Sequence, residues 1–585
     1  MGFEFDIPHL GSGARGDRNL SGSLSARAGS FGVAWDLYKR MQELTTGQFI
    51  SLLRQRNIDV RAEDGRLHIS APAGAVDSQL RRELARRKGD LLSTLQNAGA
   101  VRPQSPLVPA GRAGKIPQTG AQQGLWLIDH FDPGCVAYNI PIAYLVEGPV
   151  DLAALQMAAD QMLVRHEILR TSFYEEDGDL FQAVAPEAGT MVEFTDLSSL
   201  AETNRDQELD TLIREQARRP FDLHQPPLVR FHLFRLTEQR HVVFFNIHHI
   251  IADRKSLTIL WEELRILYQA AMRNETANLP KLPIQYADYA MWAAQHLADG
   301  RMQEQILYWK TKLAGLPAYL DLPTNRPYPE KRTPWGATTP VVIDVSLRDA
   351  MMEIAQQEGA TMFMTLLAAF AVLLYKQSGK EDFCIGSPST LRKHVETESI
   401  IGLFVNMLVF RCDLGGEPSF RDVLRRVRST ALEAYENSDV PFQEIVRALK
   451  PDLRSLRSPF FQAMFGFDSE DGKGTSGLIQ LDTKPGTARF DLTLQLTEHA
   501  DGISGSFEYC TDLFDALDMA ELSGRLVALL REISAYPDRS VSKLEIPATS
   551  RGEGTVADAQ MENSNFWRRA TKHATERFAH RFQRN

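Results

Sequence analysis

The sequence predicts an α/β protein: a body of two lobes preceded by a small unit of helix, β-hairpin and helix. Three observations predict it. Residues 115 to 540 mix helical and strand patterns over a length that exceeds one hydrophobic core. Residues 58 to 69 alternate apolar and polar on both sides of Asp64-Gly65, the strongest short-range hairpin signal. Between the two regions, Val101 to Gly114 carries Pro103, Pro106, Pro109 and Gly111, the composition of a linker.

Residues 1–40 are rich in Gly, Ser and Arg without periodicity, so a disordered extension is expected. Met41 stands directly before the first patterned segment and is a candidate for the true start, which the intact mass of the native protein tests. The small unit is expected over 41–98. Phe49, Leu52 and Leu53 share a helical face, and Ile58, Val60, Leu67 and Ile69 are the apolar positions of the hairpin. Asp77 is placed to cap a second helix. That helix buries Leu80, Leu84, Leu91 and Leu95 and turns out Arg81, Arg82, Arg86 and Lys88. So small a unit is marginal alone and has no polar cluster suited to chemistry, so binding is its expected task. The hairpin edge suits an added strand, and the basic face suits an acidic partner.

Past the linker at 99–114, the lobes are expected over 115–290 and 291–540. Val242 to Ile247 is a β-prone apolar run, Thr365 to Tyr375 a buried helix, and Ser506 to Tyr509 a further strand. The 541–585 tail carries Phe566, Ala570, Ala574, Phe578 and Phe582 at the spacing of an amphipathic helix.

Composition narrows the function. The formal net charge of -10 argues against nucleic acid as a partner. Cys135, Cys384, Cys412 and Cys510 are widely spaced, with no metal-ligand or disulfide pattern, so a reducing, cytoplasmic setting is expected. No apolar run is long enough for a bilayer, and no secretory signal opens the chain.

The segment that carries chemistry is Phe245-Asn246-Ile247-His248-His249-Ile250-Ile251-Ala252-Asp253. A buried strand runs out into two histidines, with an aspartate four residues beyond the second. Neighbours on a strand face opposite ways, so at most one imidazole aims into a given cleft. A neutral imidazole accepts a proton near pH 7. Asp253, paired with an arginine, would pin the loop. Two readings stay open on this segment alone, a general base or a pair of core histidines. A metal site is disfavoured, because adjacent histidines chelate poorly and further ligands are missing.

These residues resemble the H-H-x-x-x-D-G signature of condensation domains from nonribosomal peptide synthetases. Other family-like segments follow in order: Thr119 to Trp126, Arg165 to Phe173, Tyr286 to Trp292, Tyr308-Trp309, Ile401 to Asn406, Asp439 to Phe442 and Phe461 to Phe465. The small unit resembles the β-hairpin docking domains found ahead of such domains, which receive the C-terminal tail of an upstream carrier protein. The resemblance implies two chloramphenicol-acetyltransferase-like lobes in a V-shaped pseudo-dimer. It implies an acyltransferase with no bound cofactor, the acyl chain arriving on the phosphopantetheine of a partner carrier protein. It implies His249 at the reacting centre with His248 and Asp253, and a structural ion pair from Asp253 to Arg165 or Arg170.

Two departures stand out. Arg254 replaces the signature glycine, and Asn437-Ser438 replaces a His-Gln pair. Arg254 is expected on the acceptor side, where it suits a carboxylate. The chain is expected to act alone, releasing its product onto a free small-molecule acceptor as amide or ester. Rival expectations are transfer between two carrier-bound substrates, a coenzyme-A-dependent acyltransferase, an epimerisation domain and a non-catalytic carrier-recruitment module.

Overall fold

The computed structural model describes residues 53, 59–63, 66–70, 78–89, 91, 107–111, 114–187, 189–297, 300–317, 319–451, 457–469, 479–481, 483 and 485–546. The expected extension, the first helix apart from Leu53, Ile58, the Asp64-Gly65 turn, Asp77, Leu95, the Arg82 side chain and the stripe of the tail lie outside them. The chain divides into two compact units, Met1–Pro106 with Ala355–Thr361, and Leu107–Ile354 with Met362–Asn585.

In the smaller unit, β1 (Asp59–Glu63) and β2 (Arg66–Ser70) pair antiparallel, with Val60 opposite Ile69 and Ala62 opposite Leu67. Val60 and Leu67 are buried, as are Leu53, Leu80, Leu84 and Leu91, while Ile69 is partly exposed. Helix α1 (Ser78–Arg86) presents Arg81 outward. Glu83 is fully buried and receives Arg87 Nε at 2.6 Å and Arg86 Nη2 at 2.5 Å.

The larger unit begins β3 (Ile116–Pro117), α2 (Gly120–Phe131), β4 (Asn139–Glu147), α3 (Leu152–Arg165), β5 (Thr171–Glu176), β6 (Asp179–Val184), β7 (Val192–Asp196), α4 (Glu202–Ala217), β8 (Val229–Thr237), β9 (Arg240–His248), α5 (Arg254–Met272), α6 (Tyr286–Leu297) and α7 (Gly300–Lys312). It continues β10 (Gly336–Asp344), α8 (Val345–Gln357), α9 (Met362–Ser378), β11 (Asp382–Thr390), β12 (Val405–Asp413), α10 (Phe420–Glu436), α11 (Phe442–Leu449), β13 (Ala463–Ser469), β14 (Ile479–Leu481), β15 (Leu492–His499), β16 (Gly502–Cys510) and α12 (Ala516–Ala535).

Each half builds its own main sheet. The first has five strands in the order β14-β4-β9-β8-β7, and the second six in the order β10-β16-β15-β13-β11-β12. Strand β14 belongs to the second half by sequence and to the first by pairing, so the lobes expected to divide near residue 290 exchange a strand. The β-prone run around Val242 is β9, flanked on both sides by β4 and β8. Its two faces pack into separate cores, Val243, Phe245 and Ile247 on one side and Val242 and Phe244 on the other, which is why the sequence is a continuous apolar run rather than an alternating one. Helix α9 is buried along almost its whole length, Thr365 included. Among the described residues no single helix is long and apolar enough to cross a membrane.

Candidate active site

Strand β9 ends at His248, and His249 opens a 3-10 turn, His249–Ile251. The strand-to-turn change, rather than strand alternation, sets the two rings apart. His248 is 4% exposed, packs edge-on against Phe221 at 6.1 Å, and accepts the Ile250 N–H at Nδ1, 3.2 Å away. It closes the turn. His249 is partly exposed. Its Nδ1 lies 2.7 Å from the Ala252 carbonyl oxygen. A carbonyl only accepts, so Nδ1 carries the proton and Nε2 keeps a free lone pair. Burial first, and the Arg489 cation second, push the His249 pKa down to about 4, against the pull of the Ala252 carbonyl and Asp253. Burial, His249 and Arg489 push His248 down to about 3. Both rings are neutral at pH 7.

Asp253 is the N-cap of α5 and is 3% exposed. Its Oδ1 accepts from Ser256 N at 2.8 Å, Ser256 Oγ at 2.7 Å and Arg392 Nη2 at 2.9 Å. Its Oδ2 accepts from Arg392 Nε at 3.1 Å and the Phe404 N–H at 3.3 Å. The partner is therefore Arg392, not Arg165 or Arg170. Arg165 spends its fork on Glu263, at 2.9 and 3.0 Å, and donates to Pro280 O. Glu263 lies ten residues along α5 from Asp253, about 15 Å at 1.5 Å per residue. Arg170 donates to the Leu163 and Ala185 carbonyls and lies 3.9 Å from Glu167. Arg392 was missed because it sits in a loop after β11 with no periodic pattern around it. Its remaining donors reach the Thr397 and Ile400 carbonyls and Ser256 Oγ, and its guanidinium stacks 4.2 Å over the Phe404 ring.

Four of the scattered segments, Thr119 to Trp126, Tyr286 to Trp292, Ile401 to Asn406 and Asp439 to Phe442, are linked here. Ser256 Oγ lies 2.8 Å from Gly402 O and accepts the Gly402 N–H at 3.0 Å. A Cβ at Gly402 would lie 1.9 Å from Tyr286 Cδ2, so only glycine fits. The Tyr286 hydroxyl donates to Leu403 O at 2.8 Å and lies 3.1 Å from Thr119 Oγ1. Gln122 Nε2 donates to Ile250 O at 3.3 Å, inside the turn that His249 opens. Asn406 gathers the Asp439 to Phe442 segment, donating to the Ser438 and Val440 carbonyls and accepting the Phe442 N–H. Ser438, one of the departures, accepts from Lys393 Nζ at 3.0 Å. The other departure, Arg254, forms an exposed ion pair with Asp468 of β13, which also accepts from Gln495. The cation that the sequence reserves for a substrate carboxylate holds a carboxylate of the chain itself. Among the described residues, no three His, Cys, Asp or Glu side chains converge as a metal set.

The arrangement offers one imidazole held in a fixed tautomer, with no hydrogen-bond partner at Nε2 among the described residues. Residues 112–553 match the family model of the condensation domain, and residues 47–97 that of the TubC N-terminal docking domain. One component of the linear gramicidin synthase of Brevibacillus parabrevis is 39% identical over 464 residues, which cover 78% of this chain and 9% of that protein. This chain thus spans less than a tenth of the length of that relative. Among solved structures, the X-domain in its complex with OxyB from teicoplanin biosynthesis superposes with a TM-score of 0.70 at 28% identity, covering 76% of this chain and 99% of that one. The first condensation domain of the calcium-dependent antibiotic synthetase shares the fold, with a TM-score of 0.62 at 20% identity over 74% of this chain and 100% of that one.

Proposed function

The chain belongs to the condensation-domain family of nonribosomal peptide synthesis, and from that premise we propose that it moves an acyl chain from a carrier-protein thioester onto an amine or hydroxyl at His249. The observation that carries this is the tautomer of His249, with Nδ1 donating to Ala252 O and Nε2 open. The nucleophile's N–H or O–H donates to Nε2 as its lone pair attacks the thioester carbonyl carbon. The tetrahedral intermediate then expels the phosphopantetheine sulfur, which takes the proton back from Nε2. Holding the two substrates at attack distance supplies much of the acceleration, and the base adds about a hundredfold to ten-thousandfold.

Amide formation between carrier-bound substrates is the coarse activity of the family. The finer reading is release onto a free small molecule, as amide or ester. The Arg254–Asp468 pair supports an acidic acceptor, because an exposed pair exchanges partners at little cost. The docking unit supports delivery of the donor in trans, an acidic C-terminal tail adding to the hairpin edge.

The test is intact mass spectrometry of an acyl-loaded carrier protein mixed with the enzyme and candidate acceptors. His249→Ala is expected to lower product formation at least a hundredfold while carrier binding persists. Unchanged turnover in that variant sinks the reading. Binding without turnover in the parent protein favours the recruitment module, and equal use of acyl-coenzyme A favours the coenzyme-A enzyme.

A further inference from the structure

Phe221 and Arg230 have no part in the sequence reading, yet direct contacts carry them to the reacting turn. That turn is held at Ile250, the residue after His249. The Ile250 carbonyl accepts from Gln122 Nε2 at 3.3 Å, and the Ile250 N–H donates to His248 Nδ1 at 3.2 Å. Gln122 is itself fixed, because its Oε1 accepts the Thr119 N–H at 3.1 Å and Gln182 Nε2 at 3.2 Å. The His248 ring takes its orientation from packing. Phe221 meets it edge-on, with 6.1 Å between ring centres and 74° between planes.

Phe221 stands four residues past the end of α4, and the stretch between is clamped from the sheet. Asn139 Nδ2 donates to Ala217 O at 2.8 Å and Arg219 O at 3.0 Å. Asn246 Nδ2 donates to Gln216 O at 2.9 Å and Ala217 O at 3.2 Å. Arg230 donates through Nη1 to Arg219 O at 2.9 Å and through Nη2 to Pro220 O at 2.7 Å. The carbon of its guanidinium lies 3.9 Å over the centre of the Phe221 ring. Register explains how three strands supply one clamp. Asn139 is opposite His248, and Asn246 is opposite both Pro141 and Arg230. Cross-strand partners and residues two apart share a face of the sheet, so His248 lies on the face that holds the end of α4. Phe221, 5% exposed, is caught between the guanidinium and the imidazole.

Resting on the acyl-transfer reading above, we propose that Phe221 is a positioning residue of the reaction, seated by Arg230 and acting through His248 on the turn that presents His249. With the His248 ring held, its Nδ1 stays where the Ile250 N–H reaches it. The turn then keeps the Ala252 carbonyl oxygen 2.7 Å from His249 Nδ1. That contact selects the tautomer whose Nε2 lone pair takes the nucleophile's proton. Without the phenyl ring, His248 is free to change rotamer, and the Ile250 N–H loses its acceptor inside a buried turn. As the turn relaxes, the other neutral tautomer of His249 gains population. It carries its proton on Nε2 and accepts none there.

The experiment reads the His249 ring nitrogens by 15N spectroscopy of histidine-labelled full-length protein at pH 7, the signals assigned by their loss in His249→Ala. A protonated and an unprotonated ring nitrogen resonate far apart, so the tautomer is read directly. Phe221→Leu keeps an apolar side chain at the position and removes the ring. The parent is expected to show Nδ1 protonated and Nε2 bare, and Phe221→Leu a mixture of both tautomers. Its kcat per folded site is expected to fall about tenfold, less than the hundredfold of an outright misplacement of about 1 Å. Its KM for the acyl carrier protein is expected to stay within about twofold. In a His248→Ala background the route is gone, so Phe221→Leu is expected to change the tautomer ratio and kcat by less than about twofold.

An unmoved tautomer in Phe221→Leu overturns the proposal, and so does an effect of the same size with and without His248. A purely structural phenylalanine lowers the amount of folded enzyme and leaves both readouts of the folded fraction unchanged. If Phe221→Leu fails to fold, Arg230→Met decides. It removes the seat at a partly exposed position and leaves the core filled, so an unmoved tautomer there overturns the proposal as well. Spectroscopy needs no turnover. A parent protein that transfers no acyl group, while Phe221→Leu still redistributes the tautomers, sinks the acyl-transfer reading and leaves the contact between the two rings established.

Discussion

Asp253 and Arg254 are neighbours in the chain, and each reaches across to the second half for an ion-pair partner. The side chains of the Asp253–Arg392 pair are both 4% exposed, whereas those of Arg254 and Asp468 are 71% and 37% exposed. The first pair is surrounded by further hydrogen bonds from Ser256 and the Phe404 N–H, and the second has one neighbour, Gln495. Two contacts with the same formal charges thus serve opposite purposes. Where water is excluded, breaking one partner strands the other, and the contact becomes structural. Where water has access, the charges are screened and the contact is exchangeable.

The sharpest way to break this comparison is Arg392→Ala. It leaves the Asp253 carboxylate buried without its cation, and a loss of about 3–5 kcal/mol is expected in urea unfolding. Arg392→Lys is expected to recover only part, since one ammonium cannot replace a fork that reaches two carboxylate oxygens and two carbonyls. A loss below about 1 kcal/mol for Arg392→Ala removes the distinction between the two pairs. Gly402→Ala probes the same buried joint without touching a charge. The new methyl overlaps Tyr286, and a cost of about 1–3 kcal/mol is expected in the same assay. The smallest effect belongs to the exposed pair. Arg254→Ala and Asp468→Asn are each expected to change stability by less than about 1 kcal/mol, with the difference fading at high salt. The same two variants are expected to alter the preference between acidic and neutral acceptors, read by competition in the mass-spectrometric assay. Unchanged preference in both removes the acceptor role.

Much of the site was legible. A run such as Val242 to Ile247 has one comfortable home, the middle of a sheet, and the polar residues at its end must then lie where the sheet stops. Asp253 three residues ahead of Ser256 is an ordinary helix start, which local sequence identifies. What local sequence does not encode is which distant cation arrives. Arg165 and Arg170 drew the aspartate pairing because they stand in a family-like segment, yet Glu263 and backbone carbonyls consume them. Arg392 and Arg489 lie in irregular stretches, 139 and 352 positions from the atoms they bind. Their contacts exist only once two sheets have been brought together, so no window of sequence contains them. The hairpin was legible for a related reason, since both strands and their turn fall within one short window.

Strand β14 has a consequence for how the molecule is made. It covers the outer edge of β4 opposite Ala143, Tyr144 and Leu145, and Thr483 nearby donates to Pro141 O, 342 positions earlier in the chain. A ribosome releases the amino-terminal sheet long before it has polymerised the ribbon that finishes that sheet. Until then the sheet waits with an open backbone rim, the kind of surface that recruits strangers. Cutting the gene between the halves would leave that rim permanently bare, so fragments divided there are expected to clump, and supplying the missing half in trans to rescue them.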